Sequence, residues 1–488
     1  MSKKKKTIEE LLEEAIIPEE KERFEIPKNW IWTQTGSITD VIGGGTPKST
    51  VKEYFEDGDI PWLTPADLSG YNDMYISRGK RNITEVGLAN SSAKILPSNT
   101  VLLSSRAPIG YVTIASNDIC TNQGFKSFLP SNAYYPEYLY WYLKFSTTYL
   151  ESMASGTTFK ELSGSKCKEI ALPLPSLNEQ KRIANKVERL LNKVEEAKQL
   201  IEEAKESFEL RRAAILDKAF RGELTRKWRE EHPDIENAEV LYDQIISLIK
   251  PKKFEIIEEQ SEYIPCKWKW VRLGEVVQVN PPKKKLNEVA EEQKCTFIPM
   301  PAVSDKTGKI EEPEEREYRK IKKGYTFFLE NDVLFAKITP CMENGKSAIA
   351  RQLKNGFGYG STEFHVLRTS EYVNEQYIHY LVRSQRFRAK AKREMTGAVG
   401  QQRVPKEFLL NYPFPLPPKE EQDAIVNILD DIFAKDNYSK FNLQLESELD
   451  ILKQCILSKA FRGELGTNDP SEESAVELLK EVLQEQVK

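Results

Sequence analysis

Two decapeptides, LDKAFRGELT at residues 216–225 and LSKAFRGELG at residues 457–466, differ at only two places. They belong to a longer pattern. IPKNWIWTQTGSI from Ile26 aligns with IPCKWKWVRLGEV from Ile264, and SNTVLLSSRAPIG around Val101 aligns with ENDVLFAKITPCM around Val333. ALPLPSLNEQKRIA from Ala171 then matches PFPLPPKEEQDAIV from Pro413, and AEVLYDQIISLIK from Ala238 matches AVELLKEVLQEQVK from Ala475. The order is kept and the offsets drift only by loop lengths, so each copy spans about half of the 488 residues. A chain written twice must fold twice, and a chain of this length exceeds what one core supports.

Within a copy, short alternating runs (VLLSS, YVTIA, VLFAK) punctuated by Gly, Pro and Asn precede a helix near Tyr138–Tyr149 or Gln376–Lys392. This pattern predicts an α+β globular unit. Pro173–Pro175 and Pro413–Pro418 then act as a stop, because proline fixes φ and biases the residue before it away from the helical region. Beyond the stop, Ile183, Val187, Leu190, Val194, Ala197, Ile201, Ala204, Phe208 and Ile215 recur at three- and four-residue steps, interrupted by Arg211. That is a coiled-coil seam. Copy two carries a less regular one through Ile425, Leu429, Ile432, Tyr438, Leu445, Leu449, Leu452 and Ile456. Each decapeptide places Lys and Arg in a last helical turn and then Gly222 or Gly463 at the position of a left-handed cap. The expected fold class is therefore a tandem α+β repeat, pseudo-twofold symmetric, whose two globular domains are separated by two long antiparallel coiled-coil helices. The expected segments are an N-terminal helix (1–25), a globular domain (26–175), a spacer helix (176–225), a helical linker (226–263), a second domain (264–417), a second spacer (418–466) and a terminal helical segment (467–488).

Several function classes are disfavoured. No apolar run approaches the roughly 20 residues of a membrane helix. MSKKKKTIEELLEEA passes straight into an acidic amphipathic helix without the apolar core of a secretory signal, which predicts a cytoplasmic protein. Six scattered cysteines without a Cys-x-x-Cys pair, and only three histidines, argue for buried reduced thiols and against a zinc site. Asn280-Pro281-Pro282-Lys283 mimics the base-holding loop of amino-methyltransferases, with lysine where a stacking aromatic belongs. Gly345-Lys346-Ser347 mimics the end of a phosphate-binding loop, with Pro340 where its first glycine belongs. The chain reads as non-catalytic, with no metal and no cofactor of its own.

Charge is more informative. Residues 28–175 carry 13 basic and 13 acidic side chains, whereas residues 264–417 carry 27 and 18; against a net charge of −4, the remaining helices and linkers hold −13. The second domain alone is basic enough to attract phosphates. Its densest patch is RSQRFRAKAKR, where Arg383, Arg386, Lys390 and Arg393 share one face of a continuous helix. That face predicts a row of phosphate contacts or, equally, a solvated helix surface.

The repeat, the paired helices and the segments PLPSLNEQKRIA, PLPPKEEQDAIV and KAFRGEL, twice, resemble the specificity subunit of type I restriction-modification systems (the HsdS family), over nearly the whole chain. The resemblance implies two target recognition domains, each reading half of a split site in double-stranded DNA. It also implies helical spacers that dock two methyltransferase subunits, which bring S-adenosylmethionine, and two ATP- and Mg-dependent restriction/translocase subunits. Base readers are then expected among loop residues at matching places, because Arg and Lys pair with guanine, Asn and Gln with adenine, and Ser and Thr with either. In copy one these are Thr46, Lys48, Ser105, Arg106, Asn122, Gln123, Lys126, Thr157, Thr158 and Lys160. In copy two they are Lys283, Lys284, Lys337, Thr339, Lys346, Ser361, Thr362, Gln401, Gln402 and Arg403. Trp30, Trp32, Trp268 and Trp270 read as core, and His365 and His379 as structural. A methylation-only complex would use the same reader. A coiled-coil scaffold joining two protein-binding domains is the competing class, and it predicts no salt-sensitive DNA affinity.

Overall fold

The first strand of each copy is closed by the last. In the computed structural model, which describes residues 6–156, 160–249, 263–283, 289–398, 400–435 and 438–487, Ile31–Gln34 pairs antiparallel with Ala171–Leu174, and Lys269–Arg272 pairs with Pro413–Leu416. Trp32 lies opposite Pro173 and Trp270 opposite Pro415. Proline is tolerated here because each ladder has only two strands and the missing N–H faces away from the partner. Trp30, Trp32 and Trp268 are buried, as core residues, and Trp270 is half-buried.

The chain divides into two compact units, one made of Met1–Leu200 with Gln444–Lys488 and the other of Ile201–Leu443. Both are α+β. The first holds a five-stranded sheet ordered Val41–Gly43, Phe125–Phe128, Val101–Ser105, Ile109–Ala115, Tyr75–Ile76, and a three-stranded sheet of Arg81–Ile83, Ile60–Leu63 and Cys120–Thr121. The second holds a four-stranded sheet ordered Gln278–Val279, Phe364–Arg368, Val333–Ala336, Ser347–Ile349. Its other four-stranded sheet is ordered Glu314–Glu317, Lys294–Ile298, Phe357–Gly360, Thr326–Leu329. The expected helices follow as Pro136–Phe145 and Thr147–Met153 in one unit, and Glu375–Arg383 and Gln385–Arg393 in the other.

The repeated decapeptides end helices, as their composition requires. Leu177–Phe220 and Tyr438–Phe461 both finish in a Schellman motif: Glu223 N–H reaches Lys218 O at 2.9 Å and Glu464 N–H reaches Lys459 O at 2.8 Å. Gly222 and Gly463 hold φ of +72° and +71°. Both glycines are also contact points. A Cβ on Gly222 would lie 2.5 Å from Pro265 Cγ, and one on Gly463 would lie 2.3 Å from Pro27 Cγ. Each decapeptide is thus pressed against the opening Ile-Pro of a globular domain. A later helix of each copy, Ala238–Ile249 or Ala475–Val487, docks beside the same opening: Ala238 N–H bonds Lys267 O at 2.9 Å, and Ala475 N–H bonds Asn29 O at 3.1 Å. Ala238, Leu241 and Ile245 enter the core of the second unit, and Ala475, Leu479, Val482 and Leu483 that of the first.

Below the proline stop, each copy buries a Glu-Gln pair: Glu179 with Gln180, and Glu421 with Gln422. Gln180 donates to Ala133 O and Pro175 O, both at 3.0 Å, and accepts from Tyr135 N–H at 2.8 Å. Gln422 repeats the arrangement with Tyr372 O at 3.3 Å, Pro417 O at 3.1 Å and Asn374 N–H at 2.9 Å. A side-chain amide is the only uncharged group long enough here to offer two donors and an acceptor at once. Glu179 accepts from Thr467 and Arg182, while burial pushes its carboxyl pKa upward. Glu421 accepts from Thr225 and from the Trp268 indole, at 2.6 and 2.8 Å.

The long helices run antiparallel within each unit. In the first, Lys186 reaches Leu465 O and Lys198 pairs with Asp450, both at 2.6 Å. In the second, the Arg212 guanidinium sits 4.4 Å from the Phe433 ring centroid. The apolar stripe is buried at its ends, by Ile183, Val187 and Val194 and by Leu216, Ala219 and Phe220, while Ala197, Ile201, Ala204 and Phe208 between them are half-buried. Leu452, expected in the copy-two seam, is instead 47% exposed. All six cysteines are free thiols; Cys120, Cys167 and Cys295 are buried, but Cys266 and Cys455 are exposed, against expectation. Among the described residues no helix is long and apolar enough to cross a membrane, and no group of His, Cys, Asp or Glu could hold a metal ion.

Candidate nucleic-acid interface

In the first unit the sheet delivers three chain segments to one place. The central strand Val101–Ser105 ends at Arg106-Ala107-Pro108, the segment Asn122–Lys126 enters the neighbouring strand, and Glu161 and Leu162, paired with Ser155 and Ser105, lie against both. The segments are locked by main chain: Ser105 N–H bonds Gly124 O at 2.7 Å, and Leu162 N–H bonds Ser105 O at 2.9 Å. The Lys126 ammonium points into this junction, 3.3 Å from Ser105 Oγ and 3.4 Å from Glu161 Oε1. Arg106 approaches the same carboxylate at 4.0 Å. The GGGTPK loop lies alongside, with the Thr46 hydroxyl hydrogen-bonded to the Gln123 carboxamide. Two of its glycines are required by proximity, since a Cβ on Gly44 would stand 2.1 Å from Asn122 O and one on Gly45 2.2 Å from Ala93 N. Thr46, Lys48, Gln123 and Lys160 are exposed. Ser105 is fully buried and its hydroxyl bonds Gly124 O at 3.1 Å, which removes it from the surface as a base reader. Asn122 is half-buried, with its side-chain oxygen taken by Gly124 N–H.

The second unit repeats the junction with other side chains. Lys337 N–H bonds Glu363 O and Val404 N–H bonds Lys337 O, each at 2.9 Å, so Lys337 occupies the place of Ser105, Glu363 that of Gly124, and Arg403 that of Glu161. The Arg403 guanidinium grips Glu363 through Nε and Nη2 at 3.0 and 2.9 Å. This contact holds the Glu363 carboxyl below and the Arg403 guanidinium above their ordinary pKa values. The ion pair at the junction is therefore preserved while its polarity is inverted: the acid comes from the returning segment in the first unit and from the strand entry in the second. Thr339 and Gln402 are joined through N–H···O contacts at 3.0 and 3.2 Å, and Thr362 and Gln401 are exposed beside them. Ser361 Oγ accepts from Glu363 N–H at 3.2 Å.

Other expected residues lie elsewhere or do other work. Lys283 is exposed and reaches Lys322 O at 3.1 Å, while Lys346 bonds Met300 O at 3.3 Å. Asn280 adopts φ +51° and clasps the neighbouring strand through Val366 and His365, which makes the Asn-Pro-Pro stretch a structural turn. His365 and His379 are buried, and burial lowers their pKa values to about 4 and about 3. Thr157, Thr158 and Lys284 lie outside the described residues.

The basic helical face is a correction. The expected single helix ends at Arg383, and Ser384 (ψ 140°) caps a second one, Gln385–Arg393. The four cations therefore do not form one row. Arg383 is turned inward, donating to Gly345 O, Asp305 O and Lys306 O at 3.3, 2.9 and 3.0 Å, and burial lowers its pKa to about 10. Arg386 lies 3.7 Å from Asp217 and, with Lys390, lines a cavity beside Phe220, Trp270 and Tyr412. Arg393 alone of the four is exposed. Conversely, Glu161 and Glu363 organise both junctions although neither was expected; the available signal was an acidic residue beside or opposite the cations chosen as readers.

The description of the type I restriction modification DNA specificity domain matches residues 27–206 and again 265–446. The MjaIX specificity subunit of Methanocaldococcus jannaschii, a type I restriction enzyme component, is 38% identical over 267 residues, covering 54% of this chain and 55% of the relative. The EcoEI specificity subunit of Escherichia coli is 32% identical over 327 residues, covering 57% and 54%. The chain thus spans about half the length of these relatives. A solved chain from work on complex assembly and conformational transition of the type I restriction-modification system shares the fold, with a TM-score of 0.63 at 20% identity, over 91% of this chain and 100% of that one.

Proposed function

Because the chain belongs to the type I restriction-modification DNA specificity family, we propose that it is the non-catalytic DNA-recognition subunit of such a complex. Each unit reads one half of a split double-stranded site, and the long helices set the spacing of the halves and dock methyltransferase subunits. S-adenosylmethionine, and ATP with Mg where a restriction/translocase subunit joins, belong to those partners.

One observation carries this reading: two junctions with the same main-chain wiring present different polar side chains. Thr46, Gln123, Lys126 and Lys160 stand at one, and Lys337, Thr362, Gln401 and Arg403 at the other. A conserved frame with exchanged polar tips suits two readers of unlike half-sites, since base-edge contacts specify and the frame only positions. The test is a genome-wide map of N6-methyladenine in cells carrying the cognate methyltransferase subunit, with and without this chain. A split motif that appears only with the chain is the expected result. If no motif depends on it while the methyltransferase is active, the proposal fails.

A further inference from the structure

Arginine carries five N–H groups. In Arg403, Glu363 engages one on Nε and one on Nη2, and Gln401 O takes one from Nη1 at 2.9 Å. One N–H therefore remains on each terminal nitrogen. The side chain is 43% exposed, so this remaining pair has access to solvent. Two N–H groups on adjacent terminal nitrogens form the fork that matches O6 and N7 of guanine.

The fork is held at both ends. Arg403 N–H bonds Thr396 O at 2.8 Å and Thr396 N–H bonds Arg403 O at 3.0 Å, which fixes the main chain beneath it. Glu363 is fixed in turn, its N–H on Ser361 Oγ at 3.2 Å and its carbonyl on Lys337 N–H at 2.9 Å. An isolated surface ion pair contributes little to stability. A doubly hydrogen-bonded pair on two pinned segments matters more for orientation, because a guanidinium already held loses less rotamer freedom on meeting a base.

We infer that Glu363 is a positioning residue that orients the Arg403 guanidinium toward O6 and N7 of a guanine in the half-site read by the second unit; this rests on the DNA-reading function proposed above. The first unit has Glu161 at the place of Arg403, a group that only accepts hydrogen bonds, so its half-site is read by other means.

The test uses methylation maps from the full chain in its cognate complex, for wild type, Glu363→Gln, Arg403→Lys and the double reversal Glu363→Arg/Arg403→Glu. The wild-type map should contain a required guanine in one half of the motif. Glu363→Gln and Arg403→Lys should each lower the preference for that guanine, by up to the roughly 5- to 150-fold that a bidentate pair provides. The other half, the one altered by Gln123→Ala, should be unchanged. The double reversal rebuilds an ion pair but presents a carboxylate, so the half-site should change again. Recovery of the wild-type motif in the double variant would show a mere clasp and overturn the inference, as would an unaltered motif in both single variants or an equal loss of both halves. If the wild-type chain directs no motif at all, the DNA-reading proposal falls with it; a wild-type motif insensitive to the variants sinks this inference alone.

Discussion

Replacing Gln180 by leucine removes a side chain that closes three main-chain hydrogen bonds inside the first unit. The volume is nearly kept, so packing changes little and the polar loss dominates. Ala133 O and Pro175 O are both buried and lose their donor, and Tyr135 N–H, at the edge of the site, loses its acceptor. An orphaned buried group costs about 1–3 kcal/mol. Counting the two carbonyls at about 1.5 kcal/mol each, and letting water recover most of the N–H, gives about 3 kcal/mol. For a unit of this size each kcal/mol moves the melting temperature by roughly 2–4 °C, so Gln180→Leu should lower the transition of the first unit by about 6–12 °C. Gln422→Leu is the replicate built into the molecule. One of its carbonyls, Tyr372 O, is only partly buried, so its effect should be equal or somewhat smaller, and confined to the second unit. Differential scanning calorimetry on both variants, with urea titrations to check that m is unchanged, measures this. A drop below about 2 °C in both would refute the claim that these amides hold the helix starts to the domains.

Three other outcomes are expected. Gly222→Ala and Gly463→Ala should each cost about 2–4 kcal/mol in urea unfolding, from positive φ together with overlap on Pro265 or Pro27, whereas Gly466→Ala, at φ +68° with open space around it, should cost only about 1 kcal/mol. The three histidines all lie in the second unit, and the folded pKa values of His365 and His379 are depressed to about 4 and about 3 from an ordinary value near 6.5. Their contribution to stability is thus present above pH 6.5 and lost as pH falls toward 4 and 3, so between pH 7 and 5 the urea midpoint of the second unit should fall while the first unit shows no histidine-linked loss. Finally, seven residues inserted into the helix Leu177–Phe220 and seven into Tyr438–Phe461 should widen the gap in the methylated motif by about 3 bp, at 1.5 Å per residue against 3.4 Å per base pair; a motif of unchanged spacing counts against the helices as its measure.

The framework was legible because it is made of residues with few substitutes. A left-handed cap pressed on a proline admits only glycine, and a buried site needing two donors and an acceptor admits glutamine, so both copies spell Gly222/Gly463 and Gln180/Gln422 alike. The junctions were legible in part. Gln123, Lys126, Gln401 and Arg403 read as polar loop residues, and the fold brings the first two to the junction of one unit and the last two to that of the other. Their acidic organisers escaped notice because Glu161 and Glu363 act on neighbouring cations, a relation that exists only once strands 30 or more residues apart in the chain are paired. The basic run misled for a local reason: periodicity continues through Ser384, but that residue caps a new helix, and the arginine before it turns toward carbonyls. Ser105 misled similarly, because a hydroxyl at a strand end looks like a loop donor until the neighbouring segment covers it.

The seating of the second decapeptide on Pro27 also sets an order of events during synthesis. The second unit is one continuous stretch, Ile201–Leu443, whereas the first is assembled from Met1–Leu200 and Gln444–Lys488. A ribosome begins the first unit first and completes it last. For on the order of tens of seconds at ordinary elongation rates, while residues 201–443 are being made, the nascent first unit waits with the seats for Phe461 and Leu479 open; the second unit has every residue it needs as soon as Leu443 is added. The amino-terminal unit is therefore the later to mature, and the one most in need of shelter until the final helices leave the tunnel.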